Sequence, residues 1–190
     1  MECETFAYSQ LSRDIAKGSV HTMETLRQVH EAISIERRAQ LEWLETTLAA
    51  YPDSVKIVIG HHAIESASLV HGPQVMLRKD LLPILNRQNA LLYIAGHDHN
   101  LQYILRPYSR LHHVVCGGGG FVTTSLSLHP VFEKKEYPGL VFGSPTFGIV
   151  TGTLRPDSLH LDFVDYWGEV IFNTTIAITK PPPPKRRPLP

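Results

Sequence analysis

Two short apolar runs of the chain each end in the dipeptide Gly-His, and this repetition constrains the fold more than any other feature. Residues 55–59 are rich in β-branched side chains and precede Gly60-His61-His62. Residues 91–95 are apolar without alternation and precede Gly96-His97-Asp98-His99-Asn100. Such runs are typical of buried strands in a mostly parallel sheet. Because ligands collect beyond the carboxyl ends of these strands, both Gly-His units are predicted to lie at a binding edge.

The segment between the two runs predicts a loop and then a helix. Residues 63–73 read as the loop, Asp80 as the N-cap of the helix, and Pro83 as a residue of its first turn. A strand, a helix and a second strand joined in this way form a right-handed βαβ unit. The unit is expected to place His61 and His97 at the same edge of the sheet.

The flanking segments predict one helix before this unit and an antiparallel meander after it. The helix is expected from about Glu31, with Leu41, Leu44 and Leu48 on its apolar face and a turn at residues 51–54. A strand is predicted at 111–116, where His112 and His113 occur, and it ends in four glycines. Residues 124–145 read as a long loop, and strands at 146–154, 159–163 and 170–176 form the meander. Trp43 and Trp167 are predicted to be packing residues.

The composition fits a single domain with no nucleic-acid or membrane surface. The chain has 190 residues, 43% of them hydrophobic, and a formal net charge of zero. No apolar run approaches the ~20 residues that span a bilayer, and residues 1–10 contain no signal-peptide core. The predicted division is an irregular segment at 1–30, a folded domain at 31–178 and a disordered Pro-rich tail at 179–190.

The clustered histidines point to metal chemistry. Imidazole suits divalent zinc, iron, copper, manganese or nickel. The spacing of His97 and His99 is predicted to turn both rings to one side of the chain, where they can reach two adjacent metals. With His61 from the other strand, three nitrogen ligands would converge at the sheet edge. An isolated His-x-His more often has a structural role, so the prediction depends on the pair of strand–Gly–His units.

These motifs resemble the C-terminal half of a calcineurin-like metallophosphoesterase, and within it the small, tartrate-resistant purple acid phosphatases. The resemblance rests on Gly60-His61-His62, on His71-Gly72-Pro73 and on the run Gly96 to Gln102, which reads Gly-His-Asp-His-Asn-Leu-Gln. The Gln-x-x-Trp-Leu helix of that group is matched at residues 40–44. The resemblance covers roughly residues 36–176. It implies an α/β fold (an α+β sandwich) that forms the C-terminal half of a four-layer αββα architecture.

The resemblance also implies roles for single residues. His61 and His97 would bind a divalent metal, Fe(II), Zn(II) or Mn(II), and His99 would bind Fe(III). His71 would hydrogen-bond the substrate phosphate and protonate the leaving alkoxide. Asp98 and Asn100 would shape the turn behind the ligands, and His62 would line the pocket. The implied reaction is the hydrolysis of phosphomonoesters by a dinuclear metal centre.

The same resemblance implies carboxylate motifs that residues 1–60 do not contain. The only aspartates there are Asp14 and Asp53, and no Gly-Asp pair or Gly-Asn-His motif occurs. Two neighbouring cations need bridging anions, because neutral imidazoles cannot offset their repulsion. The chain is therefore expected to be a fragment with half a site, inactive by itself and in need of a missing N-terminal half to fold. The resemblance implies a mostly secreted, lysosomal or vacuolar family, and no compartment is predicted for this chain.

Two alternatives stay open from the sequence. The chain could be a non-catalytic remnant that binds a partner, or a single metal, through His61, His97 and His99. It could also be a phosphodiesterase of the same superfamily, although His71-Gly72-Pro73 and the Gly96 to Gln102 run favour a phosphomonoesterase.

Overall fold

The computed structural model describes residues 23–68, 70–120 and 137–179, which form two helices and two sheets. The helices are α1 (Met23–Ala49) and α2 (Val75–Arg87). The strands are β1 (Ile57–Ile59), β2 (Leu92–Ala95), β3 (Leu101–Leu105), β4 (His112–Cys116), β5 (Leu140–Ser144), β6 (Gly148–Leu154), β7 (Ser158–Asp165) and β8 (Val170–Ala177). The predicted mixed α/β class is confirmed. In the described part of the chain no helix is long and apolar enough to cross a membrane.

The first sheet has five strands in the order β1-β2-β4-β3-β5. Strand β1 runs parallel to β2, with Ile57 paired to Leu92 and Ile59 to Ile94, and β2 runs parallel to β4. Strands β1 and β2 flank α2 in sequence and are direct neighbours, as the predicted βαβ unit requires. Strands β3 and β5 are antiparallel additions, and the sequence did not predict them.

The second sheet is the predicted antiparallel meander, in the order β6-β7-β8. Side chains of β7 alternate between buried and half-buried, and Leu159, Leu161 and Phe163 point inward. This period of two follows from the strand pleat and was readable in the sequence. The prediction for this segment is confirmed.

Strands β2, β3 and β4 of the five-stranded sheet are buried on both faces, whereas the edge strand β1, which was expected to be buried, exposes Ile57 and Ile59. One face packs under the helices, where Tyr93, Ala95 and Val115 meet Leu81 and Leu85 of α2. The half-buried Leu41, Leu44 and Leu48 of α1 pack on the same cluster, as predicted. The other face packs on the meander through the cluster of Leu92, Leu101, Tyr103, Val114, Leu159, Leu161, Phe163 and Ile176. The described residues therefore form three layers, with the helices, the mixed sheet and the meander in that order.

Both predicted helix starts were wrong. Helix α1 begins at Met23, eight residues before Glu31, so part of the segment expected to be irregular is helical. Helix α2 begins at Val75 after Gln74, and Asp80 lies inside it, 3.7 Å from Arg37 of α1. Its first turns form because Leu77 is buried against the sheet, and such burial outweighs the absence of a side-chain cap. Pro83 therefore lies inside the helix rather than in its first turn.

Several apolar side chains of the periphery are exposed. Trp43 and Trp167 are 63% and 73% exposed, so the prediction that they are packing residues was wrong. Ile59, at the end of the edge strand β1, is 75% exposed. Residues 1–22 and most of the predicted Pro-rich tail, 180–190, lie outside the described residues.

Candidate active site

Strands β1 and β2 bring the two Gly-His units together. Their parallel register continues past both strands, because Gly60 donates its N–H to the carbonyl oxygen of Ile94 at 3.0 Å. Gly96 in turn donates its N–H to the carbonyl oxygen of His61 at 2.9 Å. As a result, Nε2 of His61 lies 3.1 Å from Nδ1 of His97. The prediction that these two histidines share one edge of the sheet is confirmed.

Two further imidazoles surround His97. The ring centroid of His62 lies 4.2 Å from that of His97, and the centroid of His71 lies 4.1 Å from it on another side. His71 is exposed and belongs to the loop before α2, where Gly72 takes a left-handed conformation with φ of 65°. These four histidines, which lie at most 36 positions apart in the sequence, thus bring their rings together in one cluster. We call His61, His62, His71 and His97 the histidine cluster.

A tight turn holds His97 in the cluster. His97 itself has a left-handed backbone with φ of 61°. The N–H of Asp98 donates to the carbonyl of Gly96 at 2.7 Å, and the N–H of Asn100 donates to that of Asp98 at 2.8 Å. Non-glycine residues rarely adopt this left-handed backbone conformation, and those that do are often found at functional sites.

The glycine run after β4 leaves room for this turn. Gly117 donates its N–H to the carbonyl of Asn100 at 3.0 Å. A Cβ atom at Gly117 would lie 2.1 Å from the carbonyl oxygen of Asp98, closer than any side chain can come. Glycine is therefore required because one backbone passes directly against another.

The sequence did not predict a buried polar network that lies behind the cluster. Gln102 is fully buried, and its Oε1 accepts the N–H of Ala67 at 2.8 Å. Its Nε2 donates to Ser66 Oγ at 3.1 Å and to Asn100 Oδ1 at 2.7 Å. The signal in the sequence was an asparagine and a glutamine beside apolar residues of the core. Buried amides must be hydrogen-bonded, so this pattern indicates a polar network. Of the two, the sequence singled out only Asn100.

Burial and mutual repulsion keep the centre of the cluster uncharged. Burial lowers the pKa of His97 to about 4, and the neighbouring rings of His62, His71, His61 and His99 act in the same direction. His97 therefore carries a neutral imidazole at neutral pH, the form that binds metals. Burial raises the pKa of Asp98, while Ser66, His71, Ser68 and His99 lower it in part.

The residues fit one side of a metal site. Two nitrogens that bind one metal at about 2.1 Å each, at right angles, lie about 3 Å apart, which is close to the spacing of His61 and His97. Within the described ranges, however, no group of three or more histidine, cysteine, aspartate or glutamate side chains is arranged to hold a metal ion. The roles of His61, His97 and His99 as ligands thus stay predictions.

Comparison with known proteins agrees with the motifs. The sequence profile of the family described as Calcineurin-like phosphoesterase matches residues 5–101. The chain belongs to this family. The match begins well before residue 36, where the motif resemblance began.

Named relatives are acid phosphatases. The chain is 40% identical over 141 residues to human tartrate-resistant acid phosphatase type 5, a match that covers 73% of this chain and 42% of that protein. It is 43% identical over 131 residues to purple acid phosphatase 3 of Arabidopsis thaliana, covering 69% and 34%. The chain thus spans less than half the length of these relatives.

Solved structures show the same fold. Purple acid phosphatase PPD1 from yellow lupin superposes with a TM-score of 0.55 at 21% identity, over 73% of this chain and 28% of that one. GAP50 of Plasmodium, described as the anchor in the inner membrane complex, superposes with a TM-score of 0.61 at 26% identity, over 74% and 42%. The first of these similarities concerns the fold alone.

Proposed function

We propose that the chain supplies the histidine side of a dinuclear site that hydrolyses phosphomonoesters. The observation that carries the proposal is the approach of His61 Nε2 to His97 Nδ1 at the carboxyl edge of two parallel strands. His61 and His97 would hold a divalent metal, and His99 would hold Fe(III). When bound, the two metals would supply a hydroxide nucleophile and neutralise charge on the phosphate.

His71 would act as the general acid. Its ring lies 4.1 Å from that of His97, and its exposure leaves it open to a substrate that approaches from solvent. An N–H of its imidazole would donate to a phosphate oxygen and then pass its proton to the leaving alkoxide. His62 would line the pocket, and Asp98 and Asn100 would hold the turn that carries His97.

The carboxylate ligands would come from another segment that packs beside β1. Three observations support this part of the proposal. The described donor set lacks carboxylates, β1 is an edge strand, and Ile59 and Trp43 expose apolar surface near His61. Edge strands with exposed apolar side chains readily pair with a further strand. The same segment would complete both the sheet and the site.

Elemental analysis tests the half-site. The purified chain, equilibrated with Zn²⁺ or Mn²⁺ and desalted, is expected to retain fewer than two metal ions per molecule. It is also expected to show no turnover of an aryl phosphate. Two tightly bound metals, or turnover by this chain alone, would contradict the proposal.

The role of His71 is tested in a form of the enzyme that holds both metals. His71→Ala is expected to lower kcat by about 10²- to 10⁴-fold for an alkyl phosphate, whose leaving group needs a proton. The loss should be much smaller for an aryl phosphate with a stable leaving group. His160→Ala is the matched control, because His160 contacts Thr175 and Asp162 in the meander. Equal losses for both substrates would exclude an acid role for His71.

A non-catalytic role is the second candidate. It is favoured by the lack of a three-ligand group among the described residues and by the structural similarity to GAP50, a protein described as an anchor. It predicts that no form of the enzyme hydrolyses phosphate esters, although the fold is intact. The kinetic experiment above therefore separates the two candidates.

A further inference from the structure

A second cavity lies at the opposite end of the five-stranded sheet from the histidine cluster. It has a volume of about 940 Å³, and its walls include the start of β1, the residues before β2 and β4, and the turn after β3. Small-molecule sites commonly have volumes of about 300–1,000 Å³. We call it the basal cavity. None of the residues assigned to the phosphoesterase site lines it.

The basal cavity has an excess of positive charge. Among the described residues that line it are four cations, Lys56, Arg78, Arg106 and Arg110, and two carboxylates, Asp53 and Glu65. The negative charge of Glu65 is already offset by Arg78, which donates hydrogen bonds to its two carboxylate oxygens at 3.1 and 2.6 Å. Asp53 is exposed to solvent. The wall is therefore suited to an anion.

Two buried polar groups in the wall lack adequate partners. Lys56 is 6% exposed, and the one contact of its Nζ within the described structure is the carbonyl of Pro52 at 3.4 Å. His113 is 2% exposed, and its buried Nδ1 has no hydrogen-bond partner in the part of the chain that the structure describes. Buried ammonium groups and imidazoles are nearly always paired. Both residues line the same cavity, and an anion there would supply the charge partner that the Lys56 ammonium lacks among the described residues.

The rim presents a strained aromatic residue. Residues 106–109 form a β-turn in which the N–H of Ser109 donates to the carbonyl of Arg106 at 3.0 Å. Tyr108 occupies the third position with φ of 66°, a conformation that glycine or asparagine usually takes there. Its ring is fully exposed at the edge of the cavity. Strain of this kind that exposes an aromatic ring suggests a functional use of that ring.

We propose that the basal cavity binds a phosphorylated small molecule with a planar ring, of the nucleotide class. The phosphate contacts Lys56 and Arg110, together with Arg106, whose guanidinium lies 3.9 Å from a Glu65 carboxylate that already pairs with Arg78. The planar ring stacks on the exposed ring of Tyr108. Such an arrangement combines charge for affinity with an aromatic platform that selects the ring. The site is independent of the phosphoesterase activity.

Titration calorimetry on the purified chain in EDTA tests this assignment. EDTA removes metals, so the histidine cluster cannot bind phosphate through a metal ion. Adenosine monophosphate is expected to bind at least 10-fold more tightly than either ribose 5-phosphate or adenosine. Undetectable binding of adenosine monophosphate at millimolar concentration would overturn the proposal. Equal binding of ribose 5-phosphate would overturn the assignment of a ring.

Three variants locate the binding site. Arg110→Ala changes an exposed side chain and should weaken binding of adenosine monophosphate at least 10-fold without unfolding the chain. Lys56→Met should do the same if circular dichroism shows it folded. Tyr108→Gly should lower the affinity for adenosine monophosphate to that for ribose 5-phosphate. The affinity for ribose 5-phosphate should not change. His71→Ala is the control, and loss of binding in it, with Arg110→Ala unaffected, would contradict the proposal.

Discussion

Gln102 accepts the backbone N–H of Ala67 at 2.8 Å and thereby joins the two segments that carry the site. Ala67 belongs to the loop that leads to His71, and Gln102 lies on β3 directly after the turn that carries His97. The second arm of the same amide donates to Asn100 at 2.7 Å. One side chain therefore fixes the position of the loop relative to the turn, and hence of His71 relative to His97.

Replacing Gln102 by leucine should destabilise the fold. The substitution keeps an apolar volume but leaves the N–H of Ala67 without its acceptor and the Oδ1 of Asn100 without its donor. Stranding such groups costs about 3 kcal/mol in total. Denaturant unfolding should show this loss, whereas Gln88→Leu at the end of α2 should change the free energy of unfolding by no more than about 0.5 kcal/mol. Equal effects of the two substitutions would mean that the network contributes nothing.

Replacing Gly117 by alanine should distort the turn that carries His97. The new Cβ would lie 2.1 Å from the carbonyl oxygen of Asp98, which is backbone and cannot rotate away. We expect a loss of about 2–3 kcal/mol in the free energy of unfolding, together with shifted imidazole resonances of His97 in NMR spectra. Gly119→Ala, two positions away, is the matched control, because its Cβ would meet no atom of the described residues within 4 Å. A stable Gly117→Ala protein with unchanged resonances would show that the turn adapts freely.

The sequence predicted the parts of the fold that depend on local patterns. Apolar runs predicted β1, β2 and β4, and period-two alternation predicted β7. Strands β2 and β4 are largely buried, as their runs indicate, whereas the edge strand β1 leaves Ile57 and Ile59 exposed. The meeting of His61 and His97 followed from parallel strand topology alone. These features needed no knowledge of distant contacts.

The features that the sequence missed depend on tertiary contacts. Strand β3 begins at Leu101, directly after the histidine turn, and its buried Gln102 obscures the strand pattern. Helix α2 starts early because the sheet buries Leu77, although Asp80 is the better local cap. The turn that contains the left-handed His97 packs directly against the backbone of Gly117, a contact that no local pattern records.

The stability of the chain should fall between pH 6.5 and pH 4 because of His113. Burial lowers the pKa of His113 to about 4, and Arg106 and Arg78 act in the same direction against an opposing effect of Glu65. The unfolded chain, with a histidine pKa near 6.5, binds the proton first, so acidification favours unfolding. The stability that comes from keeping His113 neutral is fully present above pH 6.5. It is lost progressively as the pH falls from 6.5 through 4, and the free energy of unfolding then decreases by up to about 3 kcal/mol.

Unfolding measured across this range in His113→Gln checks the assignment. The variant cannot take up the proton, so its stability should depend less steeply on pH than that of the parent chain. His97, whose pKa is also lowered to about 4, is present in both proteins and cancels in the difference. Parallel stability curves for the two proteins would show that His113 is not buried in its neutral form.

Replacing Glu65 by glutamine should cost far more than the same change at an exposed ion pair. The side chain of Glu65 is 4% exposed, and it accepts hydrogen bonds from Arg78, at 2.6 Å to Nη2, and from the hydroxyl of Tyr137. The neutral amide leaves the Arg78 guanidinium, which is 35% exposed, without its counter-charge, and losing hydrogen bonds to a charged group costs about 1.5–3 kcal/mol. Glu31→Gln is the matched control, because Glu31 is 62% exposed and pairs with Arg27 at 3.2 Å on the surface of α1. Its cost should stay below about 0.5 kcal/mol. Urea titration of both variants would contradict the buried role of Glu65 if the two losses were equal.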